Sequence, residues 1–200
     1  MADANTFAVQ KLYIAYFSRP ADAAGLDYWV KAVGSNPNAL QEASAAFATS
    51  KEYRDTYAGL DNRAKVMEVY DNLFSRAGDT AGVDYWTNLL NSNKVTIDNM
   101  VTEIAKGAQG NYDGVILNGK VSAAAVFTER LDLPSEKTAY SGAAANKIAV
   151  DWIATIKDLQ SGAANNDPGV VDGVTWHRVL SHRQWVMRET RRARAVTGGT

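Results

Sequence analysis

Apolar residues recur at helical spacing along most of the chain. In the first run, Val9, Leu12, Tyr13, Tyr16 and Phe17 fall at i, i+3, i+4, i+7 and i+8, the spacing of one face of an α-helix. No stretch alternates apolar and β-branched positions with the two-residue period of a half-buried strand. The pattern therefore predicts an all-α fold.

The first helix is followed by a tight turn and two further helices. Pro20 disfavours helix at the residue before it, and Asp22 stands where the N-cap of the next helix belongs. Gly34 is a stop signal for that second helix, and a third helix is expected over residues 38–50. Short loops of this kind favour antiparallel neighbours in a compact bundle.

The same plan then occurs a second time. Residues 13–29 read YIAYFSRPADAAGLDYW and residues 70–86 read YDNLFSRAGDTAGVDYW, so ten of seventeen positions are identical at an offset of 57. Self-similarity of this length indicates a duplicated structural unit. We call the identical positions the repeat motif: Tyr13/Tyr70, Phe17/Phe74, Ser18/Ser75, Arg19/Arg76, Asp22/Asp79, Ala24/Ala81, Gly25/Gly82, Asp27/Asp84, Tyr28/Tyr85 and Trp29/Trp86.

After Gly110 the repeat fades while helical spacing continues up to Pro134. A further helix is expected from Ile148 to Leu159, ended near Gly162. We predict a compact bundle of roughly seven to nine helices. Its divisions are repeat 1 (about 6–60), repeat 2 (about 61–110), a third helical part (about 111–162) and a basic tail over 163–200.

Composition narrows the possible chemistry. The chain has no cysteine, which excludes disulfides, thiolate nucleophiles and cysteine metal ligands. Residues 1–173 carry fifteen basic and twenty-one acidic side chains, a net charge of −6, whereas residues 174–200 carry six arginines and one glutamate, a net charge of +5. No run approaches the ~18 apolar residues of a membrane span. We also expect no cleaved secretion signal, because residues 1–6 have neither a basic start nor an apolar stretch.

Two interpretations of the basic tail stay open. As an amphipathic helix, with residues such as Trp176 and Leu180 opposite the arginines, it would lie on anionic lipid or phosphate. The acidic body gives no support to nucleic-acid binding, so no nucleic-acid partner is expected. Arginine, histidine and tryptophan clustered without lysine also fit a segment that is not native to the protein. We therefore derive no function from the tail.

No motif predicts catalysis. Both histidines, His177 and His182, lie in the tail, and the chain has no G-x-S-x-G, H-E-x-x-H, Walker or G-x-G-x-x-G pattern. We expect a protein that is not an enzyme and that needs no cofactor or metal.

The charged residues of the repeat motif have a structural interpretation. Asp22 and Asp79 stand at helix caps, and each arginine is placed to bond helix carbonyls or a carboxylate. Gly25 and Gly82 lie at a helix start, where a missing side chain lets a neighbouring helix approach.

The aromatic residues of the repeat motif are the more interesting candidates for ligand contact. Adjacent helix residues point about 100° apart, so one ring of each Tyr–Trp pair can be buried while the other meets solvent. Aromatic faces suit the C–H faces of sugar rings. The alternative is that Trp29 and Trp86 are core and that the tyrosines close the helix pair. If a glycan binds, the candidate contacts are Arg19, Tyr28, Arg76 and Tyr85.

The repeat motif resembles a known helical repeat, and so does the segment that closes the first unit, Phe47…Ser50-Lys51-Glu52-Tyr53. That repeat is a domain of formally unknown function found in bacterial RTX-type secreted proteins and S-layer proteins, and it is distantly similar to phycobilisome linker domains. The resemblance covers about residues 6–160. In the second unit the closing S-x-E-Y segment is lost. The stretch from Leu117 to Thr128 also resembles the segment that tends to follow this repeat.

The resemblance implies a secreted cell-surface protein, usually exported by a type I system. In S-layer relatives the N-terminal helical region anchors the lattice to lipopolysaccharide, so the implied partners are surface polysaccharide and further copies of the chain in a lattice. The Gly-Asp-rich calcium repeats of such relatives do not occur in this sequence, so nothing here supports calcium binding. Two alternatives stay open: a protein–protein assembly module of the linker kind, and an accessory domain of a secreted adhesin or enzyme.

Overall fold

The computed structural model describes residues 3–108 and 110–175, and within these ranges the chain is helical without a strand. This confirms the predicted all-α fold. The described ranges hold twelve helices, more than the seven to nine predicted, because several are short segments of six or seven residues. They are α1 (Ala4–Phe17), α2 (Ala23–Ser35), α3 (Ala39–Ala48), α4 (Lys51–Thr56), α5 (Asn62–Phe74), α6 (Thr80–Asn91), α7 (Ile97–Gly107), α8 (Tyr112–Arg130), α9 (Pro134–Ala139), α10 (Ala143–Ile153), α11 (Leu159–Asn165) and α12 (Pro168–Val174).

The two repeats share an unusual helix end. Ser18 ends α1 with φ 51°, and Ser75 ends α5 with φ 52°, so both serines adopt the left-handed conformation. Each serine N–H donates to a carbonyl four residues earlier, at 2.9 Å and 2.8 Å. A residue other than glycine rarely has positive φ. Its occurrence at the same motif position twice shows that the duplication extends to backbone geometry.

The core is built around three helices, α1, α5 and α8, which pack against one another. Every residue from Leu12 to Phe17 is buried, because α2, α3 and α4 cover the sides of α1 that α5 and α8 leave open. The apolar stripe predicted for this helix is therefore only part of its buried surface.

Buried polar side chains connect these three helices in a closed ring of hydrogen bonds. Lys120 of α8 donates to the Asn72 carbonyl of α5 at 2.6 Å, and the Asn72 side chain donates to the Ala15 carbonyl of α1 at 3.1 Å. Gln10 of α1 completes the ring by donating to the Ala124 carbonyl of α8 at 3.2 Å. Ala15 and Asn72 are equivalent positions at the 57-residue offset, so their carbonyls receive the same kind of contact from the next unit.

The C-terminal helices differ from the prediction. We expected one helix from Ile148 ended near Gly162, but α10 ends at Ile153 and Asp158 caps a separate α11. Gly162 lies inside α11 and faces Gly119 of α8, where an added Cβ on Gly119 would lie 3.2 Å from the Gly162 Cα. The two glycines thus allow these helices to approach closely.

The packed body extends beyond residue 162, where we placed the start of the tail. Both α11 and α12 pack on α8, and Arg130 of α8 forms an ion pair with Asp172 of α12. The interpretations of residues 176–200 lie outside the described residues. In the described part, no helix combines the length and apolar character needed to cross a membrane.

Candidate functional site

The two motif aspartates form the start of the second helix in each repeat. Asp22 is the N-cap of α2 and accepts from the Gly25 backbone N–H at 2.8 Å. Asp79 does the same for α6 with the Gly82 N–H, also at 2.8 Å. An N-cap carboxylate satisfies a helix donor that otherwise has no partner. These carboxylates therefore have a structural task in both units.

The motif glycines accommodate the motif tyrosines. A Cβ added to Gly25 would lie 2.1 Å from the Tyr13 Oη, and one added to Gly82 would lie 2.7 Å from the Tyr70 Oη. Both tyrosines are almost fully buried, and this burial raises the pKa of their hydroxyls. The pairing of a tyrosine with a glycine twelve residues later is a packing contact of the repeat.

Arg19 is held in a buried ion pair. Its Nε and Nη2 donate to the two carboxylate oxygens of Glu52, each at 2.7 Å, and its Nη1 donates to the Pro20 carbonyl at 2.9 Å. The guanidinium carbon also lies 5.4 Å from the Tyr13 ring centroid and 5.9 Å from that of Tyr140. A two-pronged bond with aromatic contact is the geometry in which arginine binds most specifically.

Arg76 forms the same arrangement with Asp113. Its Nε and Nη2 donate to the two carboxylate oxygens at 2.7 Å and 2.6 Å, and its Nη1 donates to the Ala77 carbonyl at 2.8 Å. This pair is more exposed, since the Arg76 side chain keeps 40% of its surface against 7% for Arg19.

The sequence analysis missed the equivalence of these two carboxylates. Ser50 caps α4 and Glu52 is the second residue of that helix, while Asn111 caps α8 and Asp113 is the second residue there. The closing segment that seemed lost in the second unit is thus present as N-x-D, displaced by four residues from the 57-residue offset. A helix cap followed two positions later by an acid was the available signal.

These pairs change the candidate glycan contacts. Each guanidinium already uses three of its five N–H donors on a carboxylate and a backbone carbonyl, and the two-pronged pair fixes its orientation. At Arg19 a sugar would also have to enter a buried site. We therefore assign both arginines to the turn and do not carry Arg19 and Arg76 forward as glycan contacts.

The motif tyrosines that follow are exposed. Tyr28 keeps 66% of its surface and Tyr85 keeps 58%. Each ring meets the following tryptophan edge to face, with centroids 4.9 Å apart for Trp29 and 5.0 Å for Trp86. Each repeat therefore presents one exposed tyrosine braced by a tryptophan.

The tryptophans are less buried than a core position would require. Trp29 and Trp86 pack against the core as partly buried residues, and no residue of α2 is fully buried. Trp29 contacts Phe47 at a centroid distance of 6.0 Å. Both tryptophans therefore pack at the edge of the core, where they contact the exposed tyrosines.

Three neighbouring depressions lie where the first repeat meets α5, α8, α9 and α10, and we call them together the seam groove. Their volumes are ≈ 560, ≈ 430 and ≈ 450 Å³. The first and second share Asn146, and the second and third share Ala23, Asp27 and Lys137. A smaller depression of ≈ 190 Å³ lies beside Trp86 of the second repeat. In residues 3–108 and 110–175, no group of three His, Asp or Glu side chains is placed to hold a metal ion.

Comparison with known proteins identifies part of this arrangement. A domain of unknown function (DUF4214) is found at residues 43–109. The DUF4214 segment covers about a third of the chain and includes Tyr85 and Trp86 of the second repeat. No curated protein matches the chain significantly, and no solved structure does. The DUF4214 match carries no statement about S-layer, RTX-type or linker proteins, so that resemblance stays a prediction.

Proposed function

We propose that this chain is a non-catalytic carbohydrate-binding domain that attaches a secreted protein to polysaccharide or lipopolysaccharide on a bacterial cell surface. One observation carries the proposal: both repeats present an exposed tyrosine, Tyr28 or Tyr85, in edge-to-face contact with the tryptophan that follows it.

The exposed pairs suit a sugar ligand for a physical reason. A tyrosine offers an apolar face and a polar tip, which match the C–H face and the hydroxyl groups of a sugar ring. The neighbouring tryptophan contacts the ring before any ligand arrives, so less rotamer freedom is lost on binding than for a ring with no neighbour. Two such platforms in one chain would add avidity toward a polymer with repeating units.

The remaining motif residues favour binding over catalysis. Asp22 and Asp79 are engaged as caps, and Arg19 and Arg76 are engaged in ion pairs. These four charged groups thus support the turns that carry the aromatic pairs. Surface attachment by a secreted protein is what the sequence resemblance implies, and it agrees with a repeated binding platform.

The proposal is tested on a printed array of bacterial surface polysaccharides that includes smooth lipopolysaccharide. Tyr28→Ala and Tyr85→Ala should each weaken binding to the glycans recognised by the wild type roughly fivefold, and the double variant should lose more, because stacking on an aromatic ring contributes about 1 kcal/mol. Tyr112→Ala is the matched control, since Tyr112 is 61% exposed but lies outside the repeat motif.

Two results would refute the proposal. One is a folded wild type that binds no surface glycan; the other is a Tyr112→Ala variant that loses as much binding as the motif variants. Self-association without glycan that both motif variants abolish would instead identify the pairs as an interface between copies and favour the assembly module.

A further inference from the structure

We propose that the seam groove binds an extended segment of a polysaccharide whose sugars are uncharged or carry amino groups. This inference rests on the proposed function and gives it a location and a ligand class. It makes the first repeat, whose helices α1, α2 and α4 line the groove, the principal binding half of the molecule.

The size and continuity of the groove suit a chain of sugars. Each of its three depressions falls within the roughly 300–1,000 Å³ of small-ligand sites. Because neighbouring depressions share lining residues, they lie side by side along the seam. A single ring would fill one depression, whereas a polymer could occupy all three.

The charge of the lining selects among polymers. Seven acidic and four basic side chains line the groove, a formal excess of three negative charges. A cleft lined mainly by one sign of charge repels ligands of that sign. Phosphorylated or sulfated polymers are therefore disfavoured, and neutral or amino-bearing sugars fit. The acidic set is Asp22, Glu52, Asp55, Glu68, Asp27, Glu129 and Asp132, and the basic set is Arg19, Lys51, Lys137 and Lys147.

Polar groups are available at the middle of the groove. Within the described part of the chain, neither the Asp27 carboxylate nor the Lys137 ammonium has an ion-pair partner within 4.0 Å. Both line the second and third depressions, so an acceptor and a donor for sugar hydroxyls lie together there. Tyr28 directly follows Asp27 in α2 and is exposed, but its side chain lines none of the three depressions.

The two repeats differ at this point. Ala24 lines the second depression, and its equivalent Ala81 does not line the ≈ 190 Å³ depression beside Trp86. Both alanines are exposed second residues of their helices, α2 and α6. They offer a matched pair of substitutions, one inside the groove and one outside it.

The test compares Ala24→Trp with Ala81→Trp on the same polysaccharide array, with dextran sulfate added as a polyanionic probe. We expect Ala24→Trp to weaken binding to the recognised glycans at least tenfold, because the indole fills the second depression. Ala81→Trp lies one helical turn before Tyr85 and outside the groove, so it should weaken binding no more than Tyr85→Ala does. Fragments of a recognised polysaccharide should bind more tightly with each added sugar up to several units. Unfolding midpoints near that of the wild type would show that both variants fold.

The outcomes separate this inference from the proposed function. If Tyr28→Ala and Tyr85→Ala weaken binding while Ala24→Trp does not, the groove is not the site, although carbohydrate binding stands. Recognition confined to dextran sulfate or phosphorylated glycans, or affinity that saturates at one sugar, would also overturn the groove. If the folded wild type binds no glycan, the proposed function itself fails.

Discussion

The contact between Tyr13 and Gly25 gives the sharpest prediction about the fold. In Gly25→Ala, the new methyl group would lie 2.1 Å from the Tyr13 Oη, closer than a Cβ can approach another atom. Tyr13 is only 5% exposed, so its ring cannot swing into solvent to relieve the clash. The substitution therefore forces the start of α2 away from α1.

The magnitude follows from two opposing effects. Overpacking of a well-packed contact costs about 1–3 kcal/mol, and the severity of this clash places it near the upper end. Alanine in place of glycine within a helix returns about 1 kcal/mol. We expect a net loss of about 2 kcal/mol in the free energy of unfolding. Gly82→Ala should cost less, because the corresponding distance to the Tyr70 Oη is 2.7 Å.

A double-mutant cycle tests the cause. Tyr13→Phe removes the clashing oxygen, so Tyr13→Phe/Gly25→Ala should recover at least about 1 kcal/mol relative to the sum of the single variants. Urea unfolding followed by tryptophan fluorescence gives the four values, with unchanged m-values as the condition for comparing them. Additivity within about 0.5 kcal/mol would refute the steric explanation.

Two further measurements address the buried charges. Glu52→Gln should destabilise the protein by about 3 kcal/mol, because it leaves a buried guanidinium without its counter-charge, whereas Asp113→Asn should cost about 1 kcal/mol at the more exposed pair; chemical unfolding that ranks the two variants in the opposite order would contradict this. Burial lowers the pKa of Lys120 from 10.5 to about 8, so the unfolded chain holds more protons between these pH values and stability should rise with pH across this window, by up to about 3 kcal/mol. Burial raises the pKa of Tyr140 from 10.0 to about 12, so the folded chain holds more protons above pH 10 and stability should fall there. Unfolding titrations should therefore show a maximum near pH 9–10, and Lys120→Met should remove the rise; a steady decline from pH 8 in the wild type would contradict the assignment.

Local features of the sequence predicted the local parts of the site. Asp22 and Gly25 are three residues apart, and their cap geometry depends on that short segment alone. The exposed tyrosine in each Tyr–Trp pair likewise follows from the 100° rotation between neighbouring helix residues. Such short-range features could be predicted from the sequence because the backbone of one helix end determines them.

Contacts between distant segments were not accessible in the same way. Glu52 lies 33 residues from Arg19, and nothing in the spacing pairs them until the helices are packed. Lys120 falls in an apolar helix and would be expected to reach solvent, yet it is 1% exposed because the last carbonyls of α5 require a donor there. The seam groove combines α2 with α9 and α10, whose relative placement no periodicity encodes.

The closed ring of hydrogen bonds through Lys120, Asn72 and Gln10 affects which segments of this chain can fold alone. Each of the three central helices needs the next one to complete a buried polar contact, so removing one helix orphans a group on another. The DUF4214 segment at residues 43–109 contains α5 but neither α1 nor α8. Expressed alone, that stretch would lack two of the three central helices. The smallest piece expected to fold cooperatively runs from α1 through at least α8, which is longer than the DUF4214 segment.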